Sequence, residues 1–201
     1  MEIIIHRVNT VRKLKKISNN YGVEIDLRSS SRDIVLNHEP FNKGEIFNTW
    51  LKHYSHKTLI LNIKEEGLEK RILKILKKKN IKDFFLLDQS FPFLIKYSKK
   101  FFCKTAGRIS EYESIETIRK IKNRINWVWV DCFNKYPLNK NKYNILKGMK
   151  LKLCYVSPEL QGRGTFEDIK EFISQLKLLD TSPDAVCTKL EKFDLWNKYL
   201  F

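Results

Sequence analysis

Short runs rich in β-branched and aromatic residues alternate along the chain with runs whose apolar positions recur every three or four residues. The first pattern predicts strands, the second amphipathic helices. Strands are expected at 2–8, 23–28, 58–64, 83–88, 104–109, 127–133, 150–156 and 185–190. Helices are expected at 10–19, 44–54, 66–79, 91–100, 113–123, 141–148, 165–178 and 191–199. The run 66–79 sets Leu68, Ile72, Ile75 and Leu76 on one face and lysines on the other, as suits a helix lying on a sheet. Ser114 and Thr165 stand where helix starts are expected, each with a carboxylate close behind. A further extended piece, 33–38, is expected to return as a hairpin beside the second strand.

Eight strand–helix units in 201 residues leave about 25 residues for each, enough for parallel strands joined by crossover helices. Eight such units close a barrel, whereas an open doubly wound sheet usually stops at about five or six strands. The expected class is therefore α/β, a single compact (β/α)8 TIM barrel. No Pro-, Gly- or Ser-rich linker divides the chain, so 1–201 reads as one domain.

Composition narrows the class. Hydrophobic residues make up 42% and charged residues 31%, ordinary for a soluble globular protein. No run approaches the ~20 apolar residues that a membrane span needs, and MEIIIHRVN lacks the basic start and apolar stretch of a secretory signal. Cys103, Cys132, Cys154 and Cys187 are far apart without CxxC spacing and read as reduced core thiols of a cytoplasmic protein. The net charge of +16 suits an anionic substrate or a peripheral contact with an anionic membrane. Lysine far outnumbers arginine, and asparagine and isoleucine are abundant, so AT-rich coding DNA explains the charge equally well. The basic run interleaved with aromatics that marks RNA binding is missing, and no nucleic acid partner is expected.

Barrel enzymes carry their chemistry at the carboxyl ends of the strands. Here the first strand ends in His6-Arg7, and the second carries Glu24 and Asp26, two apart and so on one face. The hairpin return ends at His38-Glu39, and the third strand carries Asn62 and Lys64, again two apart. Later ends supply Asp88, Arg108, Asp131, Tyr155 and Lys189. A lone strand-end histidine is commonly a hydrogen-bonded structural residue. Two carboxylates on one face of a doubly covered strand are different, because burial obliges them to find a hard cation or a lysine. The conjunction of these groups points to a site. A Schiff-base lysine at Lys64 or Lys189 is a lesser alternative, since it leaves the histidines and carboxylates without a role.

At these residues the chain resembles the glycerophosphodiester phosphodiesterase superfamily, related to the phosphatidylinositol phospholipase C barrels. The resemblance is carried by His6-Arg7-Val8-Asn9-Thr10, by Glu24-Ile25-Asp26, by the extended piece ending His38-Glu39, by Asn62-Ile63-Lys64 and by Ser90-Phe91. Val8 stands where the family has glycine, Glu39 where it has aspartate, and Asn62 where a metal-binding carboxylate is usual. The resemblance implies a phosphodiester hydrolase of lipid metabolism acting on an anionic diester. His6 and His38 would be general acid and base, with Mg²⁺ or Ca²⁺ held weakly by Glu24, Asp26 and Asn62. Arg7, Lys64, Arg108, Asp131, Tyr155 and Lys189 would bind substrate. The alternative is a catalytically weakened barrel that binds a phosphorylated ligand or partner.

Overall fold

A computed structural model describes residues 1–98 and 104–200, so Cys103 and the end of the helix expected at 91–100 lie outside the described residues. Among the described residues ten strands form: β1 (Glu2–Ile5), β2 (Gly22–Ser30), β3 (Asp33–Leu36), β4 (Glu45–Ile46), β5 (Leu59–Ile63), β6 (Phe84–Leu87), β7 (Ala106–Ile109), β8 (Trp127–Val130), β9 (Lys152–Val156) and β10 (Ala185–Thr188). Eight α-helices accompany them: α1 (Val11–Leu14), α2 (Phe47–Trp50), α3 (Glu69–Lys78), α4 (Phe91–Ser98), α5 (Ile115–Ile121), α6 (Lys140–Gly148), α7 (Phe166–Leu178) and α8 (Phe193–Leu200). All eight expected strands are present, seven with trimmed ends and β2 longer than expected. Among the described residues, no helix is long and apolar enough to cross a membrane.

The chain forms two compact units, one of His6–Thr105 and one of Met1–Ile5 with Ala106–Phe201. In the first, β5 lies parallel between β2 and β6, with Asp26 opposite Asn62. The expected return is there: β3 runs antiparallel to β2, with Leu27 opposite Leu36, and the two-residue β4 pairs with β3 in turn. In the second unit the strands run parallel in the order β1-β10-β9-β8-β7. Strands β5, β6, β8 and β10 are buried at every position, which follows from covering both faces of a parallel sheet. Cys132, Cys154 and Cys187 are buried, as expected of core thiols.

Local chemistry explains the helix ends. Thr165 forms a reciprocal capping box with Asp168, and Ser114 accepts from the Glu116 amide. α3 buries Ile72, Leu73 and Leu76 while Ile75 is only half-buried, so its buried face is turned slightly from the expected one. The helices expected at 10–19 and 44–54 shrink to single turns. Ser18 accepts from the Asn20 amide, and such local bonds compete with helix continuation. Gly44 and Glu45 are drawn out of the second helix instead. An added Cβ on Gly44 would sit 2.4 Å from the Leu36 carbonyl oxygen, and the Glu45 carboxylate accepts from the Val11 amide at 2.8 Å.

Gly44→Ala should therefore destabilise by about 1–3 kcal/mol, the usual cost of forcing atoms into filled space. Gly148→Ala, in a helix with nothing within 4 Å of the new Cβ, should instead gain up to about 1 kcal/mol. Urea titration of the two variants checks both signs.

Candidate active site

In the His6–Thr105 unit, Glu24 and Asp26 project from one face of β2 and are fully buried. Residues 6–9 fold against them. The Val8 N–H donates to the Glu24 carbonyl at 2.7 Å, and the Arg7 N–H to Glu24 Oε2 at 2.7 Å. That second bond holds Arg7 in the left-handed region at φ 51°. Arg7 Nε stands 3.8 Å from Asp26 Oδ2 and His6 Nε2 stands 3.7 Å from Glu24 Oε2. Asn9 brackets Asp26, donating from Nδ2 to Oδ2 at 2.8 Å and accepting the Asp26 amide at 2.9 Å. Lys13 Nζ ties the turn down by donating to the carbonyls of His6 at 2.8 Å and Arg7 at 3.0 Å.

From the neighbouring strand, Asn62 reaches the same place. One oxygen from each of Glu24 (Oε1), Asp26 (Oδ1) and Asn62 (Oδ1) is buried without a hydrogen-bond partner among the described residues. Lys64 Nζ comes nearest, 3.6 Å from Asp26 Oδ1 and 3.4 Å from Asp88 Oδ2. Its ammonium is thus flanked by two carboxylates. No group of three His, Cys, Asp or Glu suited to a metal ion occurs among the described residues. The cradle has two carboxylates and an amide, and three buried oxygens lacking donors are what a hard cation would satisfy.

The electrostatics are severe. Burial, and next the charge of Asp26, push the Glu24 carboxyl up to about 8, while the Arg7 N–H, Asn62 and Lys64 pull it the other way. His38 follows β3, with Nδ1 2.5 Å from Glu39 Oε1; the hydrogen bond and then the charge of His38 hold Glu39 below the usual carboxylate range. Arg28 braces this corner by donating from Nε to the His38 carbonyl and from Nη1 to the Lys64 carbonyl, both at 3.0 Å. Arg28 and Lys13 were not among the expected site residues. Arg28 had a legible signal, since it continues the alternating row Glu24, Asp26; Lys13 had none.

The remaining expected residues belong to the other unit. Arg108 Nη1 donates to Asp131 Oδ2 at 2.6 Å, and Gln161, Trp129 and the Cys132 amide also donate to the buried Asp131 carboxylate. Lys189 is exposed just after β10. Tyr155 requires correction as a substrate-facing group. It is fully buried, and its hydroxyl lies 2.6 Å from that of Tyr136, in a cluster with Thr181. Burial raises the Tyr155 hydroxyl above its ordinary range and pushes Tyr136 up to about 12. This is core packing.

Parallel β/α units with a polar cradle at a strand end define the general class, and solved structures share the fold. A glycerophosphodiester phosphodiesterase crystal structure from Thermotoga maritima is similar, with a TM-score of 0.67 and 19% identity over 98% of this chain and 96% of that one. A putative glycerophosphoryl diester phosphodiesterase from Agrobacterium tumefaciens gives a TM-score of 0.68 and 13% identity, covering 98% of each chain. A third, from Parabacteroides distasonis, gives 0.65 and 12%, covering 98% of this chain and 86% of the other. No family model matches the sequence, and no curated protein matches it. The resemblance carried by His6-Arg7, Glu24-Ile25-Asp26 and the return to His38 therefore extends to the fold over nearly the whole chain.

A carboxyl with a raised folded-state pKa holds its proton more tightly folded than unfolded, so stability is lost as pH rises through that window. Without divalent cation, unfolding free energy should fall between pH 4.5 and about 8, the span of the Glu24 shift. The slope should reach up to about 1.4 kcal/mol per pH unit, and Glu24→Gln should flatten it. Denaturant titrations across this range provide the check.

Proposed function

We propose that the protein is a phosphodiester hydrolase whose centre is the cradle of Glu24, Asp26 and Asn62. The observation that carries this reading is the trio of buried side-chain oxygens without donors, on a fold shared with glycerophosphodiester phosphodiesterase structures. A divalent cation held there would polarise a phosphoryl oxygen of the substrate. Arg7 and Lys64 neutralise and orient the phosphate. His6 and His38 serve as general base and general acid. Glu39 fixes His38, since accepting Nδ1–H leaves Nε2 as the working nitrogen. The reading takes 1–201 as one domain with its eight parallel strands closed as a barrel, acting in the cytoplasm on an anionic diester of lipid metabolism. Arg108 and Lys189 are its outlying substrate contacts.

Asn62 favours a second reading. The amide brings no charge to the cradle, and Lys64 already stands near Asp26, so the site would hold a phosphorylated ligand without cleaving it. Cation-dependent turnover of a diester separates the two.

General acid–base catalysis by a positioned group is worth about 10²–10⁴-fold. His6→Ala and His38→Ala should each lower kcat for a cleavable diester by that order, and the double variant should lose far less than the product. His53→Ala, at an exposed position outside the cradle, should change little. Equal losses in all three would point to lost folding, which circular dichroism would reveal. The cation has its own readout: Asn62→Glu adds a charge to the donor set, so calorimetry should record tighter Mg²⁺ or Ca²⁺ binding than in the wild type. Failure of both proteins to bind either ion removes the cation from the reading.

A further inference from the structure

The face of β2 that carries Glu24 and Asp26 continues to Arg28, about 7 Å beyond Asp26 at the usual strand rise. Beside Arg28 opens a cavity of about 530 Å³, lined also by Ser29, Ser30, Asn42, Lys43 and Glu65. Pro40 and Phe41 complete its wall. Arg28 joins the cavity to the cradle, because its guanidinium donates to the carbonyls of His38 and Lys64. The other lining side chains have no part in the proposed cleavage.

The cavity is built rather than incidental. The loop carrying Phe41 is closed at its neck, where Asn37 Nδ2 donates to the Lys43 carbonyl at 2.7 Å and Gly44 packs on Leu36. Within that closed loop Phe41 is wholly exposed and sits at φ 62°, a conformation unfavourable for a bulky residue. Exposing an aromatic ring on a braced loop gains nothing in folding. It does provide a flat apolar platform beside a polar cavity. Opposite in character, Glu65 accepts from the Ser29 hydroxyl at 2.5 Å and from its amide at 3.0 Å. Those bonds, the hydroxyl's first, hold Glu65 below the usual carboxylate range, so it remains an acceptor at neutral pH.

The lining selects among the arms a phosphodiester can carry. Two cations against one carboxylate disfavour an amino-alcohol arm. Six polar or charged side chains disfavour an alkyl chain. A glycerol arm would leave most of the volume to water. What remains is a neutral group with many hydroxyls and one apolar face to lay on a ring. We propose that this cavity is a subsite for a sugar ring on one arm of the diester, stacked on Phe41 and hydrogen-bonded by Glu65, Asn42, Ser29 and Ser30. This rests on the phosphodiesterase reading and names its substrate class.

The test compares p-nitrophenyl phosphodiesters whose second arm is glucose, glycerol or choline, with a non-cleavable glucose-armed phosphonate for binding. The expected order in kcat/KM places glucose above glycerol and choline last. An aromatic stacking contact is worth about 2- to 10-fold, so Phe41→Ala should cut the glucose-to-glycerol ratio by that factor, mainly through KM. Glu65→Gln should reduce the same ratio. A ratio near one in the wild type, or a preference unmoved by Phe41→Ala, overturns the proposal. So does a Phe41→Ala protein that loses only its binding to anionic phospholipid vesicles, which would make the loop a membrane contact. If no diester is cleaved yet the phosphonate binds and Phe41→Ala weakens it, the subsite stands and the hydrolase reading falls.

Discussion

Two carboxylates buried side by side on one strand are the constraint around which the His6–Thr105 unit is built. Glu24 and Asp26 are fully out of solvent, and a buried ionised carboxylate without compensation costs several kcal/mol. The surroundings read as a set of partial compensations. Arg7 accepts a left-handed backbone so that its N–H can reach Glu24, Asn9 brackets Asp26 from two sides, and Lys64 stands between Asp26 and Asp88. These leave one oxygen of each carboxylate, and the Asn62 oxygen, without a donor. An apolar pair would hold β2 and β5 together more cheaply, so the retained charges are better explained by what they can bind.

The hairpin return is the second requirement. A regular β/α unit would send the chain from β2 straight into a helix. Instead β3 and β4 bring the chain back, so that His38 emerges beside the Lys64 end of β5, where Arg28 clamps both backbones. Gly44 makes that return possible, since no other residue could approach the Leu36 carbonyl so closely. The same loop then carries Phe41 outward. One irregularity thus supplies a histidine, its orienting Glu39 and the wall of a cavity.

The strand ends of the other unit are polar in a different way. Asp131 is neutralised by Arg108 and further bonded by Gln161 and Trp129. Buried Glu159 accepts from Thr188 at 2.6 Å, from the Lys189 amide at 2.9 Å and from the Ser157 hydroxyl. Trp196 donates to that same hydroxyl at 2.8 Å. Such closed networks rigidify the carboxyl ends of β8, β9 and β10.

The order of strands and helices was legible in the sequence, because periodicity follows from which faces must be buried, and covered parallel strands announce themselves as continuous apolar runs. The pairing of Glu24 with Asp26 was legible too, since two-residue spacing puts side chains on one face. So was the return to His38, which breaks that alternation. Short-range competition was harder to read, and the helices at 10–19 and 44–54 were overextended where Ser18, Gly44 and Glu45 find other partners. Tyr155 misled because strand alternation says which residues share a face without saying which face meets the helices. The placements of Lys13 and Phe41 were decided by tertiary structure alone. Each depends on a carbonyl, a cavity or an exposure created by segments distant in sequence, and no local pattern encodes those distances.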